Sequence, residues 1–174
     1  MDDGGQSALF DAFLFFVIAL VASAAVLAYA SLSLAENEGR TRVDALAYAE
    51  DVRVSLMRST LDDPWYLNGT GARVHLGQGV SVERFLLEEI QLLSNGLSSA
   101  QFSVTDSVIL DLAKSLVRSP FRIGIEASLS GSGNPANLWL GDGAGPPSER
   151  FSAPWTYNAV DGTEVRIAVH LWYT

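Results

Sequence analysis

The sequence predicts an α+β protein. One long N-terminal helix, membrane-spanning first and amphipathic later, precedes a small domain of two short helices and a mainly antiparallel sheet of three or four strands. Three observations carry this. Residues 12–35 hold no formal charge. The stretch that follows, rich in Ala, Leu, Glu and Arg, meets no proline before Pro64. Beyond Pro120 the hydrophobic period changes from that of a helix to that of a strand.

The uncharged run comes first. Twenty-four helical residues, at a rise of about 1.5 Å each, reach about 36 Å, enough to cross the roughly 30 Å hydrocarbon core of a bilayer. A helix apolar on every face needs protein or lipid on every side, and a chain of 174 residues has little protein to spare for that. Membrane insertion is therefore the expectation. A removable secretory signal fits less well. The opening MDDGG has acid and no Lys or Arg, and the apolar run outlasts a signal core, although Ala22-Ser23-Ala24 and Ala28-Tyr29-Ala30 resemble cleavage sites.

Residues 36–60 continue the helix in amphipathic form. Ala45, Ala49, Val52 and Leu56 recur at steps of four, three and four, which draws one apolar stripe. The expected helix runs from about Ser7 to Thr60, with Gly39 the natural place for a bend or a short melt and Pro64 stopping further continuation. Residues 61–174 form the domain. Its Gly-rich opening loop, with Gly69, Gly71, Gly77 and Gly79, is expected to be pinned by Trp65 and Tyr66. Ser81 reads as the N-cap of a helix with Phe85, Leu86, Ile90 and Leu93 inward and Gly96 at its end. A second helix from Thr105 or Asp106 is expected to bury Val108, Leu112 and Leu116. Strands follow at 121–127, 137–140, 155–160 and 164–173, with Asp161-Gly162 as a tight hairpin turn between the last two.

Composition excludes several functions. Without cysteine there are no disulfides, no thiolate-bound zinc, no iron–sulfur cluster and no thiol catalysis. A net charge of −9 with 11 scattered Lys and Arg argues against nucleic acid as a partner. His75 and His170 stand isolated and read as an ordinary loop residue and a partly buried or edge residue. Glu88-Glu89 and Asp62-Asp63 lack the oxygen-ligand spacing of a calcium loop and read as solvated acidic faces. No glycine pattern matches a nucleotide-binding loop or a nucleophile elbow. The expectation is a protein without enzymatic activity, cofactor or metal. Asn68-Gly69-Thr70 matches the acceptor pattern for N-glycosylation.

Gly5-Gln6-Ser7-Ala8, then Phe10-Asp11, then an unbroken apolar helix passing into an amphipathic one, resembles the start of an archaeal type IV pilin-like protein. The resemblance covers about the first third of the chain. It implies that residues 1–5 are a leader cut by a prepilin-type peptidase between Gly5 and Gln6. It also implies a transmembrane helix over 6–35 and an extracytoplasmic domain, in a single-pass membrane protein or a cell-surface filament. Asp11 corresponds to an acidic position that pairs with the new N-terminal amine of a neighbour. Phe13, Phe16, Leu20 and Leu27 would then bury against other copies or other pilin-like subunits, with Ala22, Ser23, Ala24 and Ala25 permitting close approach. The implied partners are those subunits, the peptidase, the membrane-embedded assembly machinery and the bilayer. Two departures stand out: the leader lacks the usual basic residue, and Asp11 lies one place late. Charge alone points the other way on topology, because Arg40 and Arg42 follow the span and nothing basic precedes it. The alternative expectation is a single-span anchor holding an external binding or accessory domain that forms no filament.

Overall fold

A computed structural model describes residues 3–131, 134–158 and 162–174, with the side chains of residues 3–12 and 35–38 outside the description. The chain divides into two compact units, Met1–Asp44 and Ala45–Thr174. Helix α1, Asp3–Arg58, supplies the described part of the first unit and enters the second. Helical structure continues through Gly39, without the short melt the sequence allowed there. One glycine costs a helix only about 1 kcal/mol, which the long helix-forming stretches on either side outweigh.

In the second unit Ala45, Ala49, Val52 and Leu56 are all buried, as their spacing predicted, and Met57 joins them. The chain then makes two small ribbons in the Gly-rich region, where the sequence suggested only loop. Strand β1 (Thr60–Leu61) pairs with β4 (Val80–Ser81), and β2 (Trp65–Leu67) pairs with β3 (Arg73–His75), both antiparallel. Arg73 stacks over the Trp65 ring at 4.4 Å, and Tyr66 stacks on the buried Phe102. Helix α2 (Val82–Ser94) starts where expected, with the Ser81 hydroxyl accepting from the Arg84 amide, and Gly96 takes the positive φ that follows its end.

A single 3-10 turn (Ser99–Gln101) leads into α3, Ser103–Leu116. Its buried face is Thr105, Ile109 and Ala113, while Val108 is 53% exposed and Leu112 and Leu116 are half-buried. The expected stripe is thus one residue out of phase. Polar contacts turn the helix: the Thr105 hydroxyl donates to the Trp65 carbonyl (2.7 Å) and accepts from its amide (3.3 Å). These bonds direct Thr105 inward and Val108 outward.

The domain closes with four antiparallel strands, β5 (Phe121–Ser130), β6 (Ala136–Leu140), β7 (Phe151–Asn158) and β8 (Glu164–Tyr173), in the order β6-β5-β8-β7. Alternation sends Ile123, Ile125, Ala127 and Leu129 of β5 and Val165, Ile167, Val169 and Leu171 of β8 into the core with α2 and α3. The last described pair of the β7–β8 hairpin is Asn158 with Glu164, and residues 159–161, on which the end of the expected strand and part of the turn fall, lie outside the described residues. Gly162 has φ +82°, as its expected turn position requires, and Asp161 lies outside the described residues.

Candidate functional site

The apolar helix and the outer face of the sheet are two places where the described residues present chemistry. In the N-terminal unit, Phe13, Phe16, Leu20 and Leu27 are 57–68% exposed, and the described apolar side chains around them are exposed too, on every side of α1. The most apolar window has mean hydropathy 2.5 and none of it is buried. By length and composition this one helix can cross a membrane, which is compatible with a single-pass anchor. Three serine hydroxyls in it bond back to the helix itself. The hydroxyls of Ser23 and Ser31 donate to the carbonyls of Ala19 and Leu27, both at 2.8 Å, and that of Ser33 to Ala30 at 3.0 Å. Such bonds remove the cost of a bare hydroxyl in hydrocarbon. The side chains of Gln6 and Asp11 lie outside the description, and at Gly5, the expected cleavage point, only the helical backbone is described.

The second place was not anticipated. Residues of even number on β5 and β8 face away from the helices, and three adjacent strands bring Glu126, His170 and Ser152 into line there. His170 lies on an interior strand and is 3% exposed, more enclosed than an edge histidine. Burial pushes its pKa down, and the nearby guanidinium groups of Arg150 and Arg166 add to that against the opposing pull of Glu126. The ring is therefore neutral at pH 7. With one proton to place, Nε2–H donates to Glu126 Oε2 (2.9 Å) and Nδ1 accepts from the Ser152 hydroxyl (2.8 Å). A cavity of about 220 Å³ opens over this row, with Arg150, Arg166 and Ser128 at its walls. The order serine, histidine, carboxylate is that of an acyl-transfer relay. Ser152, however, sits within an extended strand, not on a turn, so successive backbone N–H groups do not gather about its Oγ to hold an oxyanion.

Trp139 of β6 lies beside this row, its ring centroid 6.1 Å from His170 and 6.3 Å from Trp172. Two glycines make room for it. A Cβ at Gly124 would overlap the indole, and one at Gly141 would stand 2.6 Å from it. The indole nitrogen donates to the Gly143 carbonyl at 3.2 Å. Gly124→Ala is expected to displace Trp139 and cost about 1–3 kcal/mol of domain stability, as overpacking does elsewhere. Urea unfolding followed by tryptophan emission checks this, and a variant as stable as the parent would show that the indole has another place to go.

Elsewhere, one sequence expectation is corrected. Glu89 is no solvated residue: it is 1% exposed in the face of α2 that meets Asp106 of α3, while Glu88 beside it stays partly exposed. As carboxylates, neither Glu89 oxygen nor Asp106 Oδ1 meets a donor, and only a proton on Glu89 closes the contact as a hydrogen bond between the two carboxyl groups. Burial, and then the Asp106 charge, push the Glu89 pKa up to about 9, and burial pushes Asp106 up as well. Asp63 is exposed as expected and pairs with His75 Nδ1 at 2.9 Å. Asn68 is half-buried, and its Oδ1 accepts from the Thr70 hydroxyl and the amides of Thr70 and Ala72. Among the described residues no group of three acidic, histidine or cysteine side chains is placed to hold a metal ion.

The signal that would have found the sheet cluster was partly present. Strand alternation puts Glu126 on one face of its strand and Arg166 and His170 on one face of theirs, but only the register between strands joins the two sets. Comparison with protein-family models, with curated proteins and with solved structures finds no match for this chain.

Proposed function

We propose that this protein is a pilin-like structural subunit, major or minor, of an archaeal type IV pilus-like filament, held in the membrane by residues 12–35 until it assembles through that helix. The observation that supports it most is the character of α1. It passes from a stretch whose described apolar side chains are exposed on all sides to one whose Ala45, Ala49, Val52 and Leu56 are built into a domain core. An anchor needs only the first property. A subunit that leaves lipid for a helical bundle also needs a helix that belongs to its domain, and exposed small residues such as Ala22, Ser23 and Ala24 where copies can approach.

In this reading the peptidase cuts after Gly5, the amine of Gln6 becomes the N-terminus, and the Asp11 carboxylate of one copy pairs with the amine of the next. Unpaired charges in an apolar bundle are costly, and removing one partner of a buried pair costs about 3–5 kcal/mol. Asp11→Asn should therefore leave the protein in the membrane fraction but reduce sheared filament material by about 100-fold or more. Terminal-peptide mass spectrometry of the protein from its native membranes is the decisive experiment. A chain beginning at Gln6 supports the assembly reading. A chain that retains Met1 or Asp2 removes it and leaves the second reading, a membrane-anchored binding or accessory domain. That second reading is favoured by the sheet-face cluster, which has no part in helix-driven assembly.

A further inference from the structure

We propose that the outer face of the four-stranded sheet binds a saccharide bearing a carboxylate, with Arg150 and Arg166 receiving the acid and Trp139 and Trp172 receiving the sugar faces. The inference stands whether the chain forms a filament or remains an anchor.

Charge is the first argument. In a chain of net charge −9, two guanidinium groups flank one cavity whose lining holds a single carboxylate. That carboxylate, Glu126, is already engaged with His170. Among the described residues the Arg166 side chain forms no ion pair or hydrogen bond, and the Arg150 side chain only donates to the Pro147 carbonyl. Both cations are exposed. A guanidinium fork fits a planar carboxylate, and the Ser128 hydroxyl stands beside it.

Shape is the second. The cavity, at about 220 Å³, falls below the roughly 300 Å³ at which pockets begin to enclose whole small molecules. It suits one substituent of a larger ligand. The rest has a path to follow: Arg166, Ala168, His170 and Trp172 succeed one another on the same face of β8, a track of about 20 Å at strand spacing. At its far end the tryptophan pair is half-buried, and the indole of Trp139 is laid against the sheet by Gly124 and Gly141. An indole held flat offers its open face to apolar C–H groups, while the buried His170, fixed by partners on both nitrogens, keeps the polar row in place. Alternating acidic and C–H-rich surfaces describe an acidic glycan better than an acidic peptide.

The test uses the full chain in nanodiscs or in a polyoxyethylene detergent, which carries no sugar. Calorimetric titration with an oligogalacturonate should show binding, and its carboxyl-reduced counterpart should bind about tenfold or more weakly. The double variant Arg150→Gln, Arg166→Gln should abolish that preference, and Trp172→Leu should weaken both sugars together. Circular dichroism confirms that each variant is folded. The proposal is overturned if the acidic and reduced sugars bind alike, or if neither binds to the parent protein. It is overturned equally if sodium acetate or a glutamate-rich peptide competes as well as the oligosaccharide at equal carboxylate concentration.

Discussion

Glu89→Gln is expected to stabilise the domain at neutral and alkaline pH and to flatten its dependence on pH. The physical basis is a carboxyl group that α2 buries against Asp106, where its ionised form meets no donor and its protonated form can hydrogen-bond to the Asp106 carboxylate. Folding raises the pKa of Glu89 from an ordinary 4.5 to about 9. Between these values the folded chain holds a proton that the unfolded chain has released, so folding takes up a proton there. Stability from this group is complete below about pH 4.5 and falls as pH rises toward 9, by about 1.4 kcal/mol per pH unit. At pH 7 the accumulated cost is on the order of 3 kcal/mol, a large share of the 5–15 kcal/mol that holds a typical domain. The raised pKa of Asp106 acts with the same sign over a lower window, from its ordinary 3.8 to about 6.

Glutamine keeps the shape, cannot ionise, and brings an amide donor toward Asp106. Thermal unfolding across pH 4.5 to 9 is the measurement. The parent should lose stability steadily over that range, whereas the variant should stay nearly level above pH 6. The variant should lead by an amount on the order of 5 kcal/mol at pH 8, and the two curves should converge near pH 4.5. Parallel curves would mean that water or a neighbouring donor reaches Glu89 in solution and that the carboxyl is not held neutral.

Such a pair was hidden in the sequence for a definite reason. Glu88 and Glu89 are adjacent on a helix, so their directions differ by about 100°, and only the position of α3 decides which of them is buried. Features set by local chemistry were easier to read. Ser81 caps α2 because a hydroxyl before a helix meets a free amide, and Gly96 follows its end because the chain there needs positive φ. The stripe Ala45, Ala49, Val52, Leu56 was legible because every member is apolar. In α3 the same logic mistook the face, since Val108 is apolar yet exposed and Thr105 is polar yet buried through its bonds to Trp65. The β2–β3 ribbon escaped notice because strands of three residues carry no measurable period. The row Glu126, His170, Ser152 depends on strand register, which no single strand encodes.

Truncation of the helix should give the largest effect of all, and where it is made should decide the outcome. A chain beginning at Ala45 retains the whole second unit and loses the exposed apolar stretch. It should leave the detergent phase for the aqueous phase and unfold in one cooperative transition. A chain beginning at Leu61 loses Ala49, Val52, Leu56 and Met57 from the core. It also loses Tyr48, whose hydroxyl accepts from the Arg118 amide (2.8 Å) and donates to the Leu116 carbonyl (3.3 Å), and whose ring meets Phe121 at 5.7 Å. At about 1.5–3 kcal/mol for each large side chain, the missing burial amounts to roughly 6–10 kcal/mol, the scale of the domain's entire stability. The shorter chain should therefore remain unfolded by circular dichroism and by amide exchange. The contrast tests an idea about construction: residues 45–58 are the core helix of the domain and, in the same continuous α1, the continuation of the segment suited to lipid. A folded chain beginning at Leu61 would separate those two roles, making α1 a detachable stalk on an independent sheet domain, and would remove the architectural support for assembly through the helix.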